Sequence, residues 1–99
     1  MSEPVAVTVT GSTVAKLARG VRLREDPVRG LNVLLAPERA LALDDIAVMI
    51  VNALDGERDL DAIASDFASK FDAPKDQILA DVIAFVDEFS KRRMLELKS

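Results

Sequence analysis

Ninety-nine residues carrying 13 Lys/Arg against 17 Asp/Glu, with no histidine and no cysteine, make one small domain of net charge −4. Without cysteine there is no disulfide framework, thiol nucleophile or iron–sulfur ligation, and without histidine the commonest general base and metal ligand is missing. A carboxylate enzyme would need a desolvated cleft that so small a domain hardly provides, so the expectation is no catalysis, no cofactor and no metal. Neither a bilayer-spanning apolar run nor a secretory signal is present, which points to the cytoplasm.

Residues 5–10 alternate β-branched and small side chains, but a chain end not tied into a sheet stays loose. Residues 1–15 are therefore expected to be a flexible leader or linker, and residues 16–99 the folded domain. Val21-Arg22-Leu23-Arg24-Glu25 alternates with a period of two, as a half-buried strand does, and Asp26-Pro27 turns the chain. Gly30 opens a second run, Leu31-Asn32-Val33-Leu34-Leu35, which Pro37 stops. Arg39, Ala40, Leu41, Ala42 and Leu43 follow closely enough to fold back as an antiparallel hairpin partner with small side chains.

Helical signals then take over. Asp44 is a good N-cap, residues 46–54 are apolar almost all round, and Asp55-Gly56 reads as a C-terminal stop. Asp59 caps a second helix in which Leu60, Ile63, Ala64, Phe67, Ala68 and Phe71 share one face. Pro74 opens a third, with Asp76 near the positive end of its dipole. Its apolar set, Ile78, Leu79, Val82, Ile83, Phe85, Val86 and Phe89, sweeps roughly 160°, wider than one packing seam needs. Lys91-Arg92-Arg93 place positive charge at the helix end, and residues 94–97 read as a short extended tail. Strands followed by helices give an α+β fold: a three-stranded antiparallel sheet followed by a three-helix bundle, winged-helix-like.

No glycine-rich phosphate loop or calcium loop is present, and Asp44-Asp45 reads as a cap rather than a metal pair. Residues 40–90 carry three Lys/Arg and twelve Asp/Glu, a balance that repels a phosphate backbone and argues against a nucleic-acid partner. From the residues alone, a winged-helix nucleic-acid-binding domain and a self-associating structural domain are the rival readings of this architecture.

The stretch Arg19-Gly20-Val21-Arg22-Leu23-Arg24-Glu25-Asp26, then Arg29-Gly30, then Val33-Leu34-Leu35-Ala36-Pro37-Glu38-Arg39, resembles the PqqD family of pyrroloquinoline quinone (PQQ) biosynthesis. Leu41-Ala42-Leu43, Leu54-Asp55-Gly56 and Asp81-Val82 ahead of Phe85 continue the likeness, which covers roughly residues 17–96. Where the family often has a glycine after the third helix, this chain has Arg92-Arg93-Met94-Leu95. The resemblance implies a three-stranded sheet followed by three helices, and a non-enzymatic peptide chaperone, a RiPP recognition element. Such a chaperone binds a ribosomal precursor peptide (protein A) and presents it to a radical SAM enzyme (protein E) for Glu–Tyr cross-linking. Some members are fused to the pathway oxidase (protein C), and no membrane is involved. The implied peptide site is the groove between the third strand and the third helix. Here that means Arg39, Ala40, Leu41, Ala42 and Leu43 as the pairing edge, and Val82, Phe85, Val86 and Phe89 as the floor, with Ile78 deeper. Arg22, Arg24, Arg29 and Arg39 would meet acidic side chains of the peptide.

Overall fold

The structure, a computed structural model, describes residues 8–28 and 30–98. Its elements run β1 (Val14–Leu17), β2 (Arg22–Asp26), β3 (Leu31–Ala36), β4 (Arg39–Leu43), α1 (Asp45–Ala53), β5 (Asp55–Asp59), α2 (Leu60–Phe71), α3 (Lys75–Lys91) and β6 (Leu95–Lys98). The fold is α+β, with three helices and two three-stranded antiparallel sheets, ordered β2-β3-β4 and β5-β1-β6.

The first sheet is a meander. β3 pairs with β2 from Leu31↔Asp26 to Leu35↔Arg22 and with β4 from Ala36↔Arg39 to Asn32↔Leu43. The two-residue loop between β3 and β4 puts Pro37 first and Glu38 second with φ 71°, the pattern of a tight turn that needs a positive φ at its second central residue. Alternation sends Leu23, Leu34 and Leu41 to the inner face and Arg22, Arg24, Val33, Leu35, Ala40 and Ala42 to the outer one.

The second sheet was not expected from the sequence. Asp55-Gly56, read there as a simple helix stop, begins β5, and the tail after α3 is a true strand, β6, beside β1. α1 ends at Ala53, and Asp55 then accepts from the backbone N–H groups of Glu57 at 2.9 Å and Arg58 at 3.0 Å, which turns the chain into the strand. The backbone bond from Arg58, then that from Glu57, favours the ionised form and holds the Asp55 carboxyl at about 2. Packing also begins before residue 16. Val9, Thr13 and Ala15 are buried, and the carbonyls of Thr13 and Gly11 accept from Leu60 and Asp61 at the start of α2 at 3.0 and 2.9 Å. Residues 1–7 of the expected leader lie outside the described residues.

Asp44 and Asp59 cap α1 and α2 as expected, each carboxylate accepting from a backbone N–H three residues on at 2.8 Å. α3 ends without glycine. Arg93 takes the left-handed conformation (φ 63°), while Met94 N–H donates to the Phe89 carbonyl at 3.0 Å and Arg93 N–H to that of Ser90 at 2.9 Å. These are the paired bonds of a Schellman turn, made on a residue with a side chain.

Two buried clusters hold the molecule together. The larger gathers Ile50, Leu54, Leu60, Ile63, Val82, Val86 and Leu95 between the helices and the β5-β1-β6 sheet. The smaller joins Val21, Leu34, Leu43, Val51 and Met94 beneath the meander. Leu17, Phe85 and Phe89 pack against both. Among the described residues no helix is long and apolar enough to cross a membrane.

Candidate functional site

Four strand edges bound the two sheets, and they differ in chemistry. β2 carries Arg22, Arg24, Glu25 and Asp26; β5 carries Asp55, Glu57, Arg58 and Asp59; β6 carries Glu96 and Lys98. Charges of this kind deter a strand from pairing with another chain. β4 has only Arg39, at its start, and then Ala-Leu-Ala-Leu. In a hairpin closed by a two-residue loop, the flanking pair exchanges both backbone bonds and the next pair does not, alternating outward. Given the Ala36↔Arg39 register, Leu41 and Leu43 bond back to β3, whereas the N–H and C=O groups of Ala40 and Ala42 face the open edge. Both alanines are exposed, so nothing bulky shields those groups.

Beside this edge lies a cleft of about 410 Å³. Ala42 and Leu43 form its strand wall, Ile46, Ala47 and Ile50 of α1 its end, and Asp81, Phe85 and Phe89 of α3 the facing wall. The two phenylalanines stack with centroids 4.2 Å apart and planes 16° from parallel. Arg92 lies over the Phe89 ring at 5.8 Å and pairs with Glu88 at 2.9 Å. Arg39 donates from Nη2 to the Arg92 carbonyl at 2.7 Å, which ties the start of β4 to the end of α3. A second cavity of about 270 Å³ runs on from the cleft between α1, α2 and α3. It shares Ile46, Ile50 and Asp81 with the cleft and adds Met49, Phe67, Phe71 and Ile78.

The residues expected at the site divide by depth. Ala40 and Ala42 stand on the open edge, while Leu41 is half-buried and Leu43 buried against the smaller cluster. Phe85 and Phe89 face the cleft. Val82 and Val86 do not: at 1% and 0% exposure they belong to the larger core, and Val82 alone of the two reaches the wall of the second cavity. Ile78 opens into the second cavity instead of the cleft floor. Arg22 and Arg24 sit on the far edge of the meander, two strand spacings or about 10 Å from β4, and Arg29 lies outside the described residues. Sequence reasoning missed Ile46, Ala47 and Ile50. The signal was present, since a helix apolar all round in so small a domain cannot bury every face, and Ile46 is 69% exposed.

The cleft offers backbone pairing groups, apolar contact area and charge at its ends. Among the described residues, no group of three or more carboxylates is placed to hold a metal. Such a surface suits an extended peptide rather than a reacting small molecule.

Comparison with known proteins places the chain in a family. Residues 32–95 match the family model "Coenzyme PQQ synthesis protein D (PqqD)". The PqqA binding protein of Rhizobium meliloti (strain 1021) is 70% identical over 92 residues, spanning 93% of this chain and 94% of that protein. The bifunctional coenzyme PQQ synthesis protein C/D of Methylorubrum extorquens is 42% identical over 96% of this chain, which matches 25% of that longer protein. The solution NMR structure of the PqqD truncation of Methylobacterium extorquens PqqCD, described as a functional and stand-alone RiPP recognition element, superposes with a TM-score of 0.80 at 41% identity. It covers 92% of this chain and 97% of that one. On the strength of the model match and these relatives, the chain belongs to the PqqD family.

Proposed function

We propose that this chain is a non-catalytic binding module that takes the precursor peptide PqqA as an added strand on β4 and presents it to the radical SAM enzyme of PQQ synthesis for Glu–Tyr cross-linking. The observation that carries the reading is the pairing of one unshielded strand edge, free of charge after Arg39, with a largely apolar cleft directly beside it. Main-chain bonds to Ala40 and Ala42 supply affinity that any extended peptide can use, and alternate side chains entering the cleft against Phe85 and Phe89 supply selectivity. The relatives named for PqqA binding support the choice of peptide, and the protein C/D relative supports a place beside the pathway oxidase, in some organisms on the same polypeptide. Chemistry belongs to the enzyme partner, because this chain has neither histidine nor cysteine to perform it.

Titration of isotope-labelled chain with PqqA peptide tests the site. Amide shifts concentrate at residues 39–43 and at Phe85 and Phe89; shifts confined to α2 overturn the placement. Presentation is tested separately by measuring cross-linked peptide formed by the radical SAM enzyme with and without this chain. An equal yield removes the presenting role.

A further inference from the structure

The cleft is apolar along its middle and oppositely charged at its two ends. On α3, Asp81, Phe85, Phe89 and Arg92 recur at helical spacing along one face, and at about 1.5 Å per residue the aspartate and the arginine stand roughly 16 Å apart. On the strand wall, Arg39 and Asp44 bracket β4, and at about 3.3 Å per residue they are also roughly 16 Å apart. The bond from Arg39 to the Arg92 carbonyl aligns these walls, base beside base and acid beside acid. Between them fit about five residues of extended peptide.

The end charges differ from their neighbours in being available. Asp87 and Glu88 of α3 are held by Lys91 and Arg92 at 3.0 and 2.9 Å. Asp81 is exposed and makes no ion pair among the described residues. Asp44 caps α1 through one oxygen, Oδ1. Glu88 neutralises Arg92, so Arg39 carries the positive end. It gives one donor to a carbonyl, meets no carboxylate among the described residues, and retains donors for one.

We propose that the cleft reads the charge order of its peptide: a positive group over Asp81 and Asp44, an apolar stretch against Phe85 and Phe89, and a carboxylate against Arg39. Complementary ends fix direction and register along a strand edge whose backbone groups discriminate neither. This inference rests on β4 being the pairing edge, and the test separates the two.

PqqA peptide carrying a nitroxide at one terminus is titrated into the intact chain and into Arg39→Glu, Asp81→Lys, the double reversal and Ala42→Pro. Each variant's amide spectrum is first compared with that of the parent to establish folding. Each single reversal weakens binding about five- to tenfold at low salt, an effect that shrinks by 0.5 M salt as screening would have it. In the double reversal, made with Asp44→Asn so that no acidic group stays at that end while α1 keeps a cap, the nitroxide broadens the opposite end of the cleft, because the peptide turns round. Reversals that change affinity less than twofold, with broadening at an unchanged end, overturn the charge-order proposal while leaving edge pairing intact. Undiminished binding to Ala42→Pro overturns edge pairing itself.

Discussion

The β2-β3-β4 meander and the β5-β1-β6 sheet have the same number of strands and the same antiparallel pairing, yet they are assembled in opposite ways. The meander is contiguous, made of strands joined by turns between residues 22 and 43. The other sheet gathers strands from residues 14–17, 55–59 and 95–98, so it joins the first and last described strands beside the helices. Both of its edges bear charge, and it behaves as closed architecture. The meander leaves β4 without charge beyond Arg39 at its start, and beside a cleft. The proposed function thus divides the two sheets, one holding the domain together and the other offering an edge to a partner.

Core truncation gives the largest test of that separation. Ile63→Ala and Leu34→Ala remove fully buried side chains from the two clusters, and each costs about 2–5 kcal/mol. Because Phe85 and Phe89 touch both clusters, urea unfolding followed by circular dichroism keeps one transition in each variant. Two resolved transitions would show that the sheets fold independently. Proline tests the strands directly. In β1, which has partners on both sides, Ala15→Pro breaks a ladder bond at a residue only 1% exposed and costs at least about 1–3 kcal/mol. On β4, Ala42→Pro removes an N–H that points to solvent and changes stability by less than about 0.5 kcal/mol. Equal losses at the two positions would erase the distinction between clasp and open edge.

Smaller effects refine the junctions. Arg93→Gly frees the left-handed turn that leads α3 into β6 and raises stability by about 0.5–1 kcal/mol in thermal melts. The smallest effect is a titration. Asp55 has its carboxyl lowered from 3.8 to about 2 by backbone donors, so its contribution is complete above 3.8 and fades as pH falls toward 2. A carboxyl titration by NMR shows a midpoint near 2, and one near 3.8 would mean that the turn opening β5 is not formed.

The same division explains what could be read from the sequence. The meander was legible because Val21 to Glu25 alternates with period two and the runs after it are bounded by Gly30 and Pro37. The caps Asp44 and Asp59 were legible because they act through neighbours three residues away. β5 was not, since Asp-Gly-Glu-Arg-Asp has no apolar alternation and becomes a strand only because distant β1 offers it partners. At the site, α3's apolar arc announced a helix with more than one packing face. Periodicity alone did not say which row the other helices would cover, so Val82 and Val86 went to the core while Phe85 and Phe89 remained at the cleft.

The stacked pair Phe85 and Phe89 makes occupancy and folding one equilibrium. On the proposed reading, a peptide resting on rings that brace both cores stabilises the whole cooperative unit rather than either cluster alone. By mass action, peptide at a hundredfold excess over its Kd adds about 2.7 kcal/mol to the unfolding free energy. If the proposed site is right, the melting temperature of this chain rises with peptide concentration, with no label and no enzyme present; an unchanged melting temperature counts against the site.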